Sequence, residues 1–336
     1  MSERVAVAGA GSWGTTLANL LAKKGHPVVL WSFEEDVVEA ITRTRTNPVY
    51  LPDVPLDDRL RATASLEEAV EGADVLVSVS PSQHVRQVMR RAARVMSRNA
   101  LVVSASKGIE TATLETMAEV LEDVLPEGTH RSTCFLSGPS FATEVAREQP
   151  TAVTVAARDT AAARQAQELF QTDYFRVYTS HDVIGVELGG SLKNVMALAA
   201  GMVAGLGYGH NTRAALITRG LAEMSRLGVS LGANPLTFMG LAGMGDLILT
   251  CTGELSRNRS VGYALGQGRK LDDVLREMRM VAEGVETSRA AHDLAQREGI
   301  EMPIVAEVHA VLFEGRPPDE AVRSLMLREP KAELWR

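Results

Sequence analysis

The chain has 336 residues, 45% hydrophobic and 23% charged, the balance of a folded globular protein and not of a disordered one. Lys and Arg number 35 against 42 Asp and Glu, a formal charge of -7, and no segment concentrates the cations, which excludes the electrostatic footprint of a nucleic-acid binder. Aromatic residues make up only 4%, which argues against base-stacking platforms, while an anionic small molecule held by a few focused cations stays open.

At roughly 100 to 200 residues per domain, the length predicts two domains. The first strand, Val5–Ala8, begins almost at once and runs into glycines, unlike a secretory signal. Further strands are expected at Val28–Trp31, Val75–Ser80, Leu101–Ala105, Cys134–Leu136, Val153–Ala156 and Arg176–Thr179. Helical patterns alternate with them at Thr15–Lys24, closed by Gly25, then Leu66–Val70, Ser82–Met96, Leu114–Leu125 and Thr160–Phe170. This alternation predicts an α/β fold, with an N-terminal Rossmann-like doubly wound sheet over residues 1–180.

After Ser180 the strand signals fade, and an all-α C-terminal domain is expected over 181–336. Its helices are read at Ile184–Leu206, Thr212–Leu227, Pro235–Met239, Leu247–Cys251, Arg257–Leu265, Leu271–Arg276, Ser288–Glu298, Pro303–Phe313 and Asp319–Leu325. No flexible linker marks the change, so the halves are expected to pack tightly. The most lipid-like stretch, Val195–Gly207, is Gly-rich and short of the roughly 20 apolar residues of a membrane span, so it reads as a buried helix without membrane insertion. Cys134 and Cys251 are far apart and lack metal-ligand spacing, which argues against a disulfide framework or metal site and fits a reducing cytoplasm.

The first strand is followed by Gly9-Ala-Gly-Ser-Trp-Gly14 and then a helical run, the order that a dinucleotide site requires. Gly9 permits the tight turn, Gly11 the approach of a pyrophosphate, and Gly14 close helix-to-strand packing. The phosphates would meet free N–H groups and the positive dipole end of the helix. An acid about 20 residues on usually selects NAD by pairing with the ribose 2′-OH. Here the second strand ends Val29-Leu-Trp-Ser-Phe-Glu-Glu-Asp36, so the acids lie slightly late and Ser32 is nearest; Arg43 and Arg45 could reach back toward a 2′-phosphate. NAD and NADP both stay open.

Chemistry-bearing residues follow in both halves. Lys193, in Gly189-Gly-Ser-Leu-Lys-Asn194, lies in an apolar helix where burial would lower its pKa toward the range of proton transfer; a snorkelling lysine is the plain alternative. Lys107 stands just past a strand, where open α/β sheets place ligands, and Ser140 after Gly138 is either a plain helix cap or a ligand-facing helix start. Ser256-Arg-Asn-Arg259 combines a capping hydroxyl with guanidinium donors suited to phosphate, or is a surface turn. Asp246 could cap a helix or orient a catalytic ammonium, and Glu283 could be a solvated loop acid.

The runs GAGSWGTTLA, SASKGIE, LSGPSFATEVA, GGSLKNVMALAAG, GLAGMGDLILTCTGELSRNRSVG and VAEGV span nearly the whole chain and together closely resemble the bacterial-type NAD(P)-dependent glycerol-3-phosphate dehydrogenases. The resemblance implies interconversion of sn-glycerol 3-phosphate and dihydroxyacetone phosphate, supply of glycerophospholipid synthesis, and a homodimer. It implies Lys193 as proton acceptor and donor, with Lys107, Gly138, Ser140, Asp246, Ser256, Arg257 and Asn258 on the substrate. For the cofactor it implies Ser12, Trp13, Lys107, Ala142, Arg257, Val281 and Glu283. Where Phe33 stands the family often has a basic residue or histidine, a departure that weighs against strong NADPH preference.

Two other readings compete: a neighbouring two-domain dehydrogenase acting on β-hydroxy acids or ketopantoate, whose substrates carry carboxylates, and a cofactor-binding sensor without turnover. The SRNR segment favours phosphate over carboxylate, and intact candidates for every catalytic role favour turnover.

Overall fold

The computed structural model describes residues 2–278, 280–330 and 332–333. The strands are β1 (Val5–Ala8), β2 (Val28–Trp31), β3 (Leu60–Thr63), β4 (Val75–Ser78), β5 (Leu101–Ser104), β6 (Cys134–Ser137), β7 (Thr151–Ala156) and β8 (Phe175–Ser180). They form one sheet in the order β3-β2-β1-β4-β5-β6-β7-β8, parallel throughout except between β6 and β7. Helices α1 (Ser12–Lys23), α2 (Glu35–Thr44), α3 (Leu66–Val70), α4 (Ser82–Ala92), α5 (Met117–Val124), α6 (Ala142–Ala146) and α7 (Thr160–Phe170) complete this half.

The four residues of β1 are all buried because both faces of the sheet are covered. Val5 and Val7 pack with α1 and α7 on one side, and Ala6 and Ala8 with α3, α4 and α5 on the other. Chain direction across the sheet reverses between β1 and β4, which opens the crevice where doubly wound sheets bind ligands.

Several boundaries differ from the sequence reading for local reasons. α1 begins at Ser12, not Thr15, so the end of the glycine loop is the first helical turn. α5 begins at Met117, because Leu114 sits at φ 61 and a reciprocal capping box of Thr116 and Glu119 starts the helix. α4 ends at Ala92, four residues early. The pattern missed α2, whose buried stripe is only Val37 and Ile41, and β3, a short edge strand with Arg61 facing solvent.

The other half consists of α8 (Val183–Gly205), α9 (His210–Ser230), α10 (Asp246–Thr252), α11 (Arg257–Gly266), α12 (Leu271–Glu277), α13 (Gly284–Glu298), α14 (Pro303–Phe313) and α15 (Pro318–Met326). A 3-10 turn at Pro235–Met239 and a π turn at Leu241–Gly245 lead into α10. α8 is the axis of this half and is buried along nearly its whole length, which explains its nearly uniform hydrophobicity. By length and composition it could span a membrane, yet 89% of its apolar window lies inside the protein.

Small residues let α11 cross α8 closely. A Cβ on Gly201 would stand 2.1 Å from the Arg259 carbonyl oxygen, and one on Gly262 2.0 Å from that of Leu198. The two halves interlock at the start of α8: Val183 and Val186 pack with the sheet's helices, while Ile109 from beyond β5 joins the helical core. Glu187 fastens the junction, its carboxyl oxygens accepting the Ala118 N–H at 3.0 and 3.2 Å in the first turn of α5. Burial pushes the Glu187 carboxyl up to about 8.

Candidate active site

The glycine loop divides its labour as the motif requires. Gly9 has φ 127, and a Cβ there would meet the Val79 carbonyl at 2.9 Å; one on Gly14 would lie 1.8 Å from the Gly9 oxygen. These two glycines serve packing. A Cβ on Gly11, by contrast, would meet nothing within 4 Å, so that position faces open space. The N-terminus of α1 has neither a side-chain cap nor an acid in its first turn, leaving N–H groups for an external anion. This cradle fits a dinucleotide pyrophosphate.

Around the loop, the Ser12 hydroxyl donates to the Tyr50 carbonyl at 2.5 Å, and the buried Trp13 Nε1 has no partner among the described residues. Ala142 is brought against α1, its carbonyl accepting from Thr16 at 3.2 Å. Phe33 is 83% exposed just past β2. Arg45 does not reach back toward a 2′-phosphate, because its guanidinium donates to the carbonyls of Leu60 and Asp57; Arg43 lies along exposed α2 beside Glu39.

The crevice at the sheet's carboxyl edge brings together titratable groups from both halves. Lys193 on α8 is only 7% exposed, and its Nζ lies 2.5 Å from Asp246 Oδ1 and 3.1 Å from Thr250 Oγ1. Lys107, three residues past β5, donates to the other oxygen of Asp246 at 2.8 Å and to the Gly138 carbonyl at 3.3 Å. The Ser140 hydroxyl donates to that same carbonyl at 3.0 Å. One buried carboxylate thus joins a lysine from each half of the molecule.

The paired glycines before Lys193 make this approach possible. A Cβ on Gly190 would lie 2.6 Å from Ser137 Oγ and 3.5 Å from Lys107 Cδ, and one on Gly189 would lie 2.4 Å from the Ala242 carbonyl oxygen. Two bare positions on α8 therefore admit the Lys107 stem on one side and the π turn that leads into Asp246 on the other.

Burial drives the Lys193 ammonium down to about 8; Asp246 opposes this and Lys107 reinforces it. Asp246 goes the other way: burial disfavours its charge, but the two ammonium groups outweigh that and hold it below the usual carboxylate range.

Ser256 caps α11, accepting the Arg259 N–H at 3.3 Å. Arg257 is exposed and makes no hydrogen bond or ion pair among the described residues. Asn258 is buried and tied into the protein: its amide donates to Asn194 at 3.0 Å and accepts from the Gly284 N–H at 2.9 Å. Glu283 accepts from the Ser82 N–H at 3.1 Å at the start of α4, and burial raises its pKa against the attraction of Arg257. With the exposed Val281 it lines a cleft of about 460 Å³ that also includes Ser82, His84 and Glu110.

Two contributors went unread in the sequence. Thr250 stands one turn beyond Asp246 on α10, the i,i+4 spacing that could have revealed it. Asn194 adjoins Lys193, but its partner is 64 residues away.

Residues 4–163 match the family described as NAD-dependent glycerol-3-phosphate dehydrogenase N-terminus, and residues 182–323 match its C-terminus. A curated glycerol-3-phosphate dehydrogenase [NAD(P)+] from Geobacter sulfurreducens is 60% identical over 335 residues, covering 100% of both chains. The crystal structure of glycerol-3-phosphate dehydrogenase from Coxiella burnetii shares 40% identity and superposes with a TM-score of 0.93 over 97% of this chain and 99% of that one. A ketopantoate reductase from Ralstonia eutropha, 17% identical with a TM-score of 0.61 over 95% of this chain and 99% of that one, shares the fold alone. With both halves matched in order and relatives aligned end to end, the chain belongs to the NAD-dependent glycerol-3-phosphate dehydrogenase family.

Proposed function

We propose that the chain interconverts dihydroxyacetone phosphate and sn-glycerol 3-phosphate with NAD or NADP, residues 1–180 holding the cofactor and 181–336 supplying the proton carrier and the phosphate grip. The observation that carries this reading is the Asp246 carboxylate shared by Lys107 and Lys193 at 2.8 and 2.5 Å.

When bound, the nicotinamide supplies the hydride that goes to the ketone carbon of the substrate. Lys193 then donates a proton from Nζ to the ketone oxygen as negative charge develops there, and in the reverse direction the neutral amine accepts the hydroxyl proton. A pKa of about 8 suits both tasks, since the ammonium predominates at neutral pH and the amine is accessible just above it. Asp246 orients both lysines, and Thr250, accepting from Lys193 while donating to the Asp246 carbonyl at 2.6 Å, fixes the rotamer. Lys107 adds a second positive charge facing the developing alkoxide, beside Gly138 and Ser140. Arg257, exposed at the first turn of α11 and without a hydrogen bond or ion pair among the described residues, takes the phosphate, with Ser256 beside it and Asn258 bracing that turn against α8. Gly11, Ser12, Trp13 and Ala142 would hold the pyrophosphate, with Phe33 toward the adenosine end and Val281 and Glu283 toward the nicotinamide.

The physiological setting we propose is the cytoplasm, where the product feeds glycerophospholipid synthesis. A homodimer through the helical half is supported by its exposed apolar side chains, Leu236 and Met239 among them. Light scattering on the purified protein tests the dimer. The activity test is oxidation of NADH and NADPH with dihydroxyacetone phosphate, run beside ketopantoate; turnover with ketopantoate alone would overturn the assignment.

A further inference from the structure

The carboxyl end of β2 carries an acid that the spacing of the sequence had seemed to place too late. Glu34 folds back onto the strand end: its Oε2 accepts from the Ser32 hydroxyl at 3.0 Å, while its backbone N–H donates to that hydroxyl at 3.2 Å. Its Oε1 accepts from the Tyr50 phenol at 2.6 Å. Tyr50 is itself tied to the glycine loop. Its carbonyl accepts from Ser12, its N–H donates to Asn47 at 3.1 Å, and Asn47 donates to Ala10 O and Thr15 Oγ1, both at 2.9 Å. The Glu34 carboxylate is therefore held at a set place relative to the pyrophosphate cradle, not swung out into solvent.

We infer that Glu34, braced by Ser32 and Tyr50, is the coenzyme-selecting residue and makes the protein specific for NAD(H) over NADP(H). A carboxylate accepts about four hydrogen bonds, and two are in use, so both oxygens retain capacity for ribose hydroxyl donors. A 2′-phosphate has no proton to offer and carries about -1.5 to -2 charges, so it would meet the carboxylate as a like charge. Among the described residues, the cations that follow β2 are committed elsewhere: Arg45 is spent on backbone carbonyls and Arg43 sits beside Glu39, while Phe33 brings an uncharged ring. Glu35 and Asp36 in the first turn of α2 deepen the negative field.

The inference rests on the dinucleotide reading above, and binding without turnover separates the two. Calorimetric titration of the apo protein with ADP-ribose and with its 2′-phosphorylated counterpart is expected to show ADP-ribose binding at least about 100-fold tighter. Glu34→Gln keeps the shape and the acceptor oxygen but removes the charge, and is expected to bring that ratio below about 10, as is 1 M salt on the parent, where screening shortens to about 3 Å. Matching kcat/KM ratios for NADH and NADPH should follow the affinities. Equal binding of the two ligands by the parent, or an unchanged ratio in a folded Glu34→Gln protein with parental Tm, would overturn the selection by Glu34. Failure of both ligands to bind the parent would overturn the dinucleotide reading itself.

Discussion

Asp246→Asn removes the largest influence that opposes burial in setting the Lys193 ammonium. The opposite charges lie 2.5 Å apart in a site where Asp246 is 1% exposed, worth about 6–7 kcal/mol of attraction at an effective dielectric near 20. Much of this is offset by the cost of burying the ions, and removal of one partner from a buried pair costs roughly 3–5 kcal/mol. Lys193 can escape that penalty by losing its proton. Even about 3 kcal/mol corresponds to about two pH units on the lysine.

The reductive reaction needs the ammonium, so the parent rate should fall as pH rises through about 8. In the variant that alkaline limb moves about two pH units lower, and at neutral pH the lost protonation costs about tenfold. Misorientation of Lys107 and Lys193 adds about 100-fold, and this part does not return at lower pH. Initial rates of dihydroxyacetone phosphate reduction across pH, with Tm measured at each value, separate the two losses. A folded variant whose alkaline limb stays near pH 8, with kcat within about threefold of the parent, would refute the assigned electrostatics.

Lys193→Ala should abolish turnover while NADH still binds, whereas Arg257→Ala should chiefly raise KM for dihydroxyacetone phosphate, by about 100-fold for a lost charged contact; steady-state kinetics with a cofactor titration checks both. Gly11→Ala meets open space and should leave Tm nearly unchanged while weakening NADH affinity, whereas Gly14→Ala drives a Cβ to 1.8 Å from the Gly9 oxygen and should lower Tm as well; calorimetry and melting curves distinguish the two. Glu187 has a folded pKa of about 8 against an ordinary 4.5, so the folded state holds a proton that the unfolded chain has lost between those values, and this group's contribution to stability falls as pH rises across that window. Glu187→Gln should therefore gain stability relative to the parent from pH 5 to pH 8 in paired denaturant titrations, and a difference independent of pH would count against the buried, protonated carboxyl.

Much of the fold was written in local pattern. The strand, glycine turn and helix around Gly9–Gly14 are contiguous, and the apolar helix bearing Lys193 announces its burial through composition alone. What escaped were elements with weak patterns: α2, which buries only two side chains, and β3, which sits at the sheet edge. The site residues were nameable one at a time, but their partnerships were not. Lys107 and Asp246 are 139 residues apart, and nothing near either predicts that they share an ion pair. Glu34 looked misplaced by counting along the strand, until the chain bend at Phe33, the Ser32 hydroxyl and a tyrosine 16 residues on turned its carboxylate inward.

By itself, then, the sequence determined the classes of element, the strand, glycine turn and helix around Gly9–Gly14 and the apolar, buried character of the helix that carries Lys193, because these depend on neighbours within a turn or two of chain. Only the tertiary structure decided that burial outweighs Asp246 in setting the Lys193 ammonium near 8, since desolvation and charge act through space and depend on which distant segments close around the side chain.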